Sequence, residues 1–305
     1  MSARIPVRRT RVPSSSRLPF KQGTVGQWIS AAIRFLAERG VPEGRANAEF
    51  IMAAILECGR NEALLQAARN LDAKQDRRFW SLIQKRAQRL PLAYVLGSQN
   101  FMGLDISVSP YVLIPRPETE ELVAEAQKRL RALAKPSPVI LEIGTGSGCV
   151  AIALARNIPS AAVYATDISP AALALALKNA EAHGVSRRIR FINEDLFKPA
   201  ARASGWADLV VSNPPYIPSP DIDGLEPEVL REPRLALDGG RDGLEAIRAI
   251  VSGAPRHLRR GGLLLLEIGA GQGPAVLEIF QQAGGRDAEI RKDMQGLDRI
   301  AAARF

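Results

Sequence analysis

The chain has 305 residues, 46% hydrophobic and 24% charged, enough to bury a sizeable core and to form two domains. No apolar run approaches the roughly 18 residues of a membrane span, and two Cys (Cys58, Cys149) with two distant His give neither a disulfide framework nor a His/Cys metal site, as suits a reducing cytosol. The formal charge of +9 is concentrated: residues 1–23 hold six basic side chains and no acid, leaving only +3 on the other 282 residues, so no domain-wide nucleic-acid surface is implied.

Residues 1–23, rich in Ser, Arg and Pro, read as a disordered basic tail, with an organelle transit peptide as the minor alternative. From residue 24 to about 90 the pattern is a small helical bundle. Trp28, Ile29, Ala32, Ile33 and Leu36 recur at helical spacing until Gly40-Val41-Pro42. A second helix spans Ala46–Glu57, with Phe50, Ile51, Ala54 and Ile55 expected inward, and shorter helices follow at about 61–68 and 73–89, the last opened by Asp72. Nothing in the bundle carries chemistry. Residues 91–115 read as a β-hairpin linker, with Phe101–Val108 and Tyr111–Ile114 as its strands around Ser109-Pro110. Ile114-Pro115-Arg116-Pro117-Glu118 then leads through an extended segment into a helix whose first turn is acidic. Arg116 is either part of that rigid linker or within reach of a ligand.

A second domain, 116–305, has the alternating strands and Ala-rich helices of an α/β fold. Val139–Ile143 is followed by Gly144-Thr145-Gly146-Ser147-Gly148 and an apolar helix: strand, glycine loop, helix, a loop that lets a ligand approach the backbone. Val163–Asp167 is a second strand ending in an acid nineteen residues after Gly148, the spacing at which a carboxylate accepts both ribose hydroxyls of a nucleoside. A dinucleotide fold has the same spacing, so the cofactor stays open on these grounds. Asp195 ends a third strand, where it can take an adenine amino group with Leu196 packed on the ring; the other reading is an ordinary turn residue.

The fourth strand, Ala207–Ser212, delivers Asn213-Pro214-Pro215-Tyr216. Two prolines cannot continue a ladder, so the strand ends in a stiff turn at the edge where open α/β sheets bind ligands. Asn213 Oδ1 and the Pro214 carbonyl can accept both N–H bonds of a planar amide or amino group, and Tyr216 can stack on its face. The segment Ile217–Gly243, rich in Pro, Gly and acids, has the length of a lid or binding loop. Helix 244–258, strand Gly262–Ile268, helix 272–283 and a final strand pair complete the sheet.

These residues resemble a known family. Asn213–Tyr216, the loop Glu142–Gly148 and Asp167 resemble class I S-adenosylmethionine-dependent methyltransferases acting on amide or amino nitrogens. More narrowly, Pro91–Gly97, Leu113–Glu120, Glu232–Gly240 and Arg291-Lys292-Asp293 look like the HemK/PrmC protein-glutamine methyltransferases, in family order from about Thr24 to Phe305. The resemblance implies a Rossmann-like seven-stranded domain behind a helical bundle and hairpin. It implies S-adenosyl-L-methionine over Gly144, Thr145, Gly146, Ser147 and Gly148, with Asp167 on its ribose, Asp195 and Leu196 beside its adenine and Asn213 close to it, and no metal. Leu196 stands where the family often has Trp, which implies weaker cover of the adenine. The implied catalytic set is Asn213, Pro214 and Tyr216, with Pro215 beside them at the substrate. The implied partner is a class I peptide chain release factor, methylated on the glutamine of its Gly-Gly-Gln loop and docked by the bundle. A bacterial-type cytoplasmic monomer without stable nucleic-acid or membrane binding is expected. An adenine methyltransferase of DNA or RNA and a catalytically silent adaptor remain the alternatives, and a dehydrogenase would leave Asn213–Tyr216 unexplained.

Overall fold

Thr24 and Asp72 each act as the N-cap of a helix through a reciprocal capping box with Gln27 and Gln75, which satisfies backbone donors that the first turn leaves unpaired. In the computed structural model, which describes residues 18–19, 22–196 and 205–305, the chain divides into two compact units, Met1–Arg89 and Leu90–Phe305. The basic segment 1–23 lies, apart from Leu18, Pro19, Gln22 and Gly23, outside the described residues. No helix among the described residues is long and apolar enough to cross a membrane.

The first unit is helical: α1 (Val25–Ala37), α2 (Gly44–Leu56), α3 (Arg60–Leu65) and α4 (Ala73–Arg86). Trp28 of α1 packs edge-on against Phe79 and tilted against Trp80 of α4. In α2 the expected inward face is rotated. Phe50 and Ala54 are exposed, while Ala48, Ile51, Met52 and Ile55 are buried. An Ala-rich helix offers two apolar stripes of similar strength, and the partner helices select one.

The second unit opens with the short helix α5 (Leu92–Leu96) and a hairpin of β1 (Ser98–Phe101) and β2 (Leu104–Ser107). The expected pairing around Ser109-Pro110 is not formed. Met102 (φ 51°) and Gly103 (φ 77°) make the turn instead, both left-handed as a two-residue hairpin loop requires. Residues 111–114 are not a strand. Helix α6 (Pro117–Ala132) then starts on a proline with Glu118 and Glu120 in its first turn.

The sheet contains β3 (Val139–Ile143), β4 (Ala162–Asp167), β5 (Ile189–Asn193), β6 (Ala207–Ser212), β7 (Leu258–Glu267), β8 (Arg286–Lys292) and β9 (Asp298–Arg304). Their spatial order is β5-β4-β3-β6-β7-β9-β8; β9 is antiparallel to both neighbours and the other pairings are parallel. Helices α7 (Cys149–Asn157), α8 (Pro170–Ala182), α9 (Glu245–His257) and α10 (Gly273–Gln282) supply the crossovers. Alternation along each strand divides the core by face. Ile140, Val163, Leu209 and Leu263 pack with α6 and α7, whereas Leu141, Val210 and Leu264 pack with α9 and α10. Every residue of β6 is buried, as expected of a central strand covered on both faces. Chain order reverses between β3 and β6, so a crevice opens at their C-terminal ends.

Candidate active site

Register brings the sequence-predicted residues to one edge. Ile143 pairs with Thr166 on one side and Ser212 on the other, and Asp167 pairs with Asn193. Gly144, Asp167 and Asn213 therefore leave adjacent strand ends, spaced about 5 Å apart per strand. A cavity of about 490 Å3 lies over this edge, with Gly144–Ser147, Asp167, Asp195, Leu196 and Asn213–Pro215 on its wall.

The glycine loop is pinned from below. Gly144 and Thr145 donate to the Thr166 carbonyl, and the Thr145 hydroxyl donates to Glu142 Oε2 at 2.7 Å. Asp167 holds the loop from the side, accepting from Gly146 N–H at 2.8 Å and from Ser169 N–H at 2.9 Å. Asn179 of α8 joins the hairpin to the loop by donating to the carbonyls of Ser107 and Ser147. Gly148 departs from expectation. It is absent from the cavity wall, and a Cβ there would meet Ala176 at 3.0 Å, so this glycine lets α7 approach α8.

Asn213 is oriented by a chain of buried groups. Its Nδ2 donates to Thr119 Oγ1 at 3.0 Å, and the Thr119 hydroxyl donates to Glu267 Oε2 at 2.7 Å. Asn213 Oδ1 and the Pro214 carbonyl accept no hydrogen bond among the described residues, and both residues line the cavity. Tyr216 does not line it. Its ring packs on the core beneath α9 and α10, its hydroxyl donates to Glu267 Oε1 at 3.4 Å, and burial pushes its pKa up to about 12. A half-buried phenol needs a hydrogen-bond partner, and Glu267 rather than a ligand provides it. The stacking expected of Tyr216 is therefore not how this ring is placed.

Burial also pushes Glu142 up to about 8 and Glu267 up to about 7. No local motif in the sequence marks these two acids or Thr119. The signal available was an acid inside an apolar strand, as in Leu263–Glu267 and Val139–Ile143.

The segment 217–243 is a folded wall. Ile217 donates to Leu237 and accepts from Gly239, and short 3-10 turns carry the rest. Gly243 (φ 76°) passes so close beneath the tetrapeptide that a Cβ would sit 2.4 Å from the Tyr216 carbonyl oxygen. Gly243→Ala is expected to cost roughly 1–3 kcal/mol, visible as a lowered melting temperature; an unchanged melting curve would refute the close-approach account. Arg116 sits on the cavity wall, ion-paired with Glu232, a buried acid that also accepts from the Ile114 N–H at 2.9 Å. Arg116→Met leaves that carboxylate buried against one amide. The guanidinium is a third exposed, so the expected loss is about 1–3 kcal/mol in urea unfolding, below that of a fully buried pair.

Residues 27–97 match the PrmC N-terminal domain and residues 120–224 the methyltransferase small domain. A release factor glutamine methyltransferase of Geobacter sulfurreducens is 43% identical over 272 residues, 89% of this chain and 93% of that protein. The chain belongs to the release factor glutamine methyltransferase family. One of Moorella thermoacetica is 43% identical over 92% of this chain and 98% of its own length. Among solved structures, the hMettl16 catalytic domain superposes with a TM-score of 0.53 at 15% identity, covering 77% of this chain and 84% of that one, which shows the fold alone. Membership makes this chain a methyltransferase of the class that draws its methyl group from S-adenosyl-L-methionine, on the seven-stranded fold expected for it.

The wall residues fit that donor. A Cβ built on Gly144 or Gly146 would meet nothing within 4 Å, so the loop presents open backbone to the cavity. Asp167 offers carboxylate lone pairs beside it, and Ile168 and Leu196 supply aliphatic surface for a flat ring.

Proposed function

We propose that this chain methylates the side-chain amide nitrogen of the glutamine in the Gly-Gly-Gln loop of class I peptide chain release factors. The observation that carries this reading is the state of Asn213. Its amide N–H is committed inward to Thr119, so its carbonyl oxygen is left for the cavity, next to the Pro214 carbonyl. Two acceptors side by side match a primary carboxamide, which has two N–H bonds to give.

When bound, S-adenosyl-L-methionine supplies an electrophilic methyl carbon on a sulfonium. The chain's own residues do the rest. Gly144–Ser147 and Asp167 hold the nucleoside side of the donor, with Asp195 and Leu196 at its ring. Asn213 Oδ1 and the Pro214 carbonyl take the two N–H bonds of the glutamine and orient its nitrogen. A carboxamide nitrogen is a weak nucleophile because its lone pair is delocalised into the carbonyl. Holding both hydrogens on acceptors lets positive charge develop on this nitrogen as it bonds the methyl carbon and the bond from that carbon to sulfur breaks. Neither acceptor is a strong base, so the proton leaves after transfer. Pro215 stiffens the turn, and Tyr216 supports it from the core side. The helical unit is assigned the docking of the release factor. The adenine alternative shares the fold and the two acceptors, since an exocyclic amino group also has two N–H bonds; the 43% identity to release factor glutamine methyltransferases over most of the chain favours the glutamine.

The test is incubation with methyl-labelled donor and a class I release factor, with Gln→Ala in its Gly-Gly-Gln loop as control. Label is expected in the intact factor only. Equal labelling of the control, or none in either, would overturn the reading.

A further inference from the structure

The register that sets Asn213 beside the glycine loop also sets it beside a buried acid. Ser212 pairs with Leu266, so Asn213 and Glu267 follow each other on the neighbouring ends of β6 and β7. Thr119, in the first turn of α6, is wedged between them. It is 2% exposed and Glu267 is fully buried. A primary amide has two orientations related by a half-turn, nearly equal in shape and opposite in polarity. Shape therefore cannot select one; only the polarity of the neighbour can.

We infer that Thr119 and Glu267 are positioning residues that set the orientation of the Asn213 carboxamide. Glu267 takes the Thr119 proton, so Thr119 turns a lone pair toward Asn213. That draws the Asn213 NH2 inward and turns its oxygen to the substrate. In the reversed orientation the NH2 would face the glutamine NH2, donor against donor, and the clamp would be lost. The inference rests on the amide-clamp reading above and adds how the clamp is kept in its working state.

The arrangement has a pH signature. Glu267 is faced by Thr119 and Glu118 from α6, Tyr216 from the strand-end turn, Arg299 from β9 and Cys149 from α7. Burial raises it to about 7, and Glu118 also acts upward, while Thr119, Arg299 and Tyr216 act downward. Below that pH the protonated acid becomes a donor to Thr119, whose own proton is then free to turn toward Asn213. Turnover should therefore fall as pH drops through about 7 and be full above it.

The test uses the full-length protein with labelled donor and a release factor. Thr119→Val, equal in size but without the hydroxyl, is expected to lose about 10–100-fold in kcat. KM for the release factor and the donor's Kd by calorimetry should stay within about threefold, a split that simple loss of structure would not produce. Thr119→Ser should recover most of the loss, and Glu267→Gln should flatten the acid limb of the pH profile. Thr119→Val within twofold of the parent while Asn213→Ala is inactive would overturn this inference alone. An active Asn213→Ala would overturn the clamp and this inference with it. If Thr119→Val fails to fold, the parent protein decides. The Asn213 side-chain amide protons, assigned by their absence from Asn213→Ala, should exchange more slowly in 15N spectra than those of exposed Asn61. Equal exchange would sink the proposal.

Discussion

Asn213→Ala is expected to lower turnover by about 10²–10³-fold, the loss typical of removing one preorganised hydrogen-bond acceptor or donor at a reacting centre. Binding of S-adenosyl-L-methionine should stay near normal, because the glycine loop and Asp167 are untouched by the change. The side chain is half-buried and its inward hydrogen bond goes to Thr119, so some stability will also be lost. A melting curve separates that effect from catalysis. The discriminating measurement is single-turnover methyl transfer at saturating donor. Turnover within a few-fold of the parent would show that the amide is not held here.

Asp167→Ala should have its largest effect on the donor instead. The carboxylate holds Gly146 and Ser169 by short bonds to their N–H groups, so its loss frees the loop as well as removing acceptors for the ribose. Hydrogen bonds to charged groups contribute about 1.5–3 kcal/mol each. Losing them should weaken donor binding by at least roughly 100-fold, about 2.7 kcal/mol. Titration calorimetry reads this directly. Asp167→Asn keeps one acceptor and should fall between. An affinity within threefold of the parent for the alanine variant would move the donor away from Asp167.

The two variants thus divide the cavity. One is expected to change kcat and leave the donor's Kd, the other to change the donor's Kd first. The division follows from strand order, because Asp167 and Asn213 flank β3 on opposite sides.

The sequence is most informative where the chemistry is local. The glycine loop and the acid ending β4 lie within single βα units, and the two prolines after β6 end their own strand whatever surrounds them. Even Asp72 announces its helix, because a cap bonds to residues two and three positions on. For the same reason Gly144, Asp167, Asp195 and Asn213 are expected at strand ends, and strand pairing sets all four on the wall of one cavity. The hairpin turns at Met102-Gly103, inside the expected first strand and not at Ser109-Pro110, because Met102 adopts a left-handed conformation that its residue type does not favour.

What tertiary structure alone decided are the contacts between residues far apart in the chain. Thr119 and Glu267 are 148 positions apart, and Asn213 and Thr119 are 94 apart. No local pattern marks such a pair. It exists because α6 packs across the ends of β6 and β7. The inward turn of Tyr216 and the packing role of Gly148 are of the same kind. A phenol goes where its hydroxyl finds a partner, and a glycine serves whichever neighbour comes nearest. Local backbone chemistry thus determined where the strands end and the glycine loop turns, and long-range packing determined how each side chain along that edge is held.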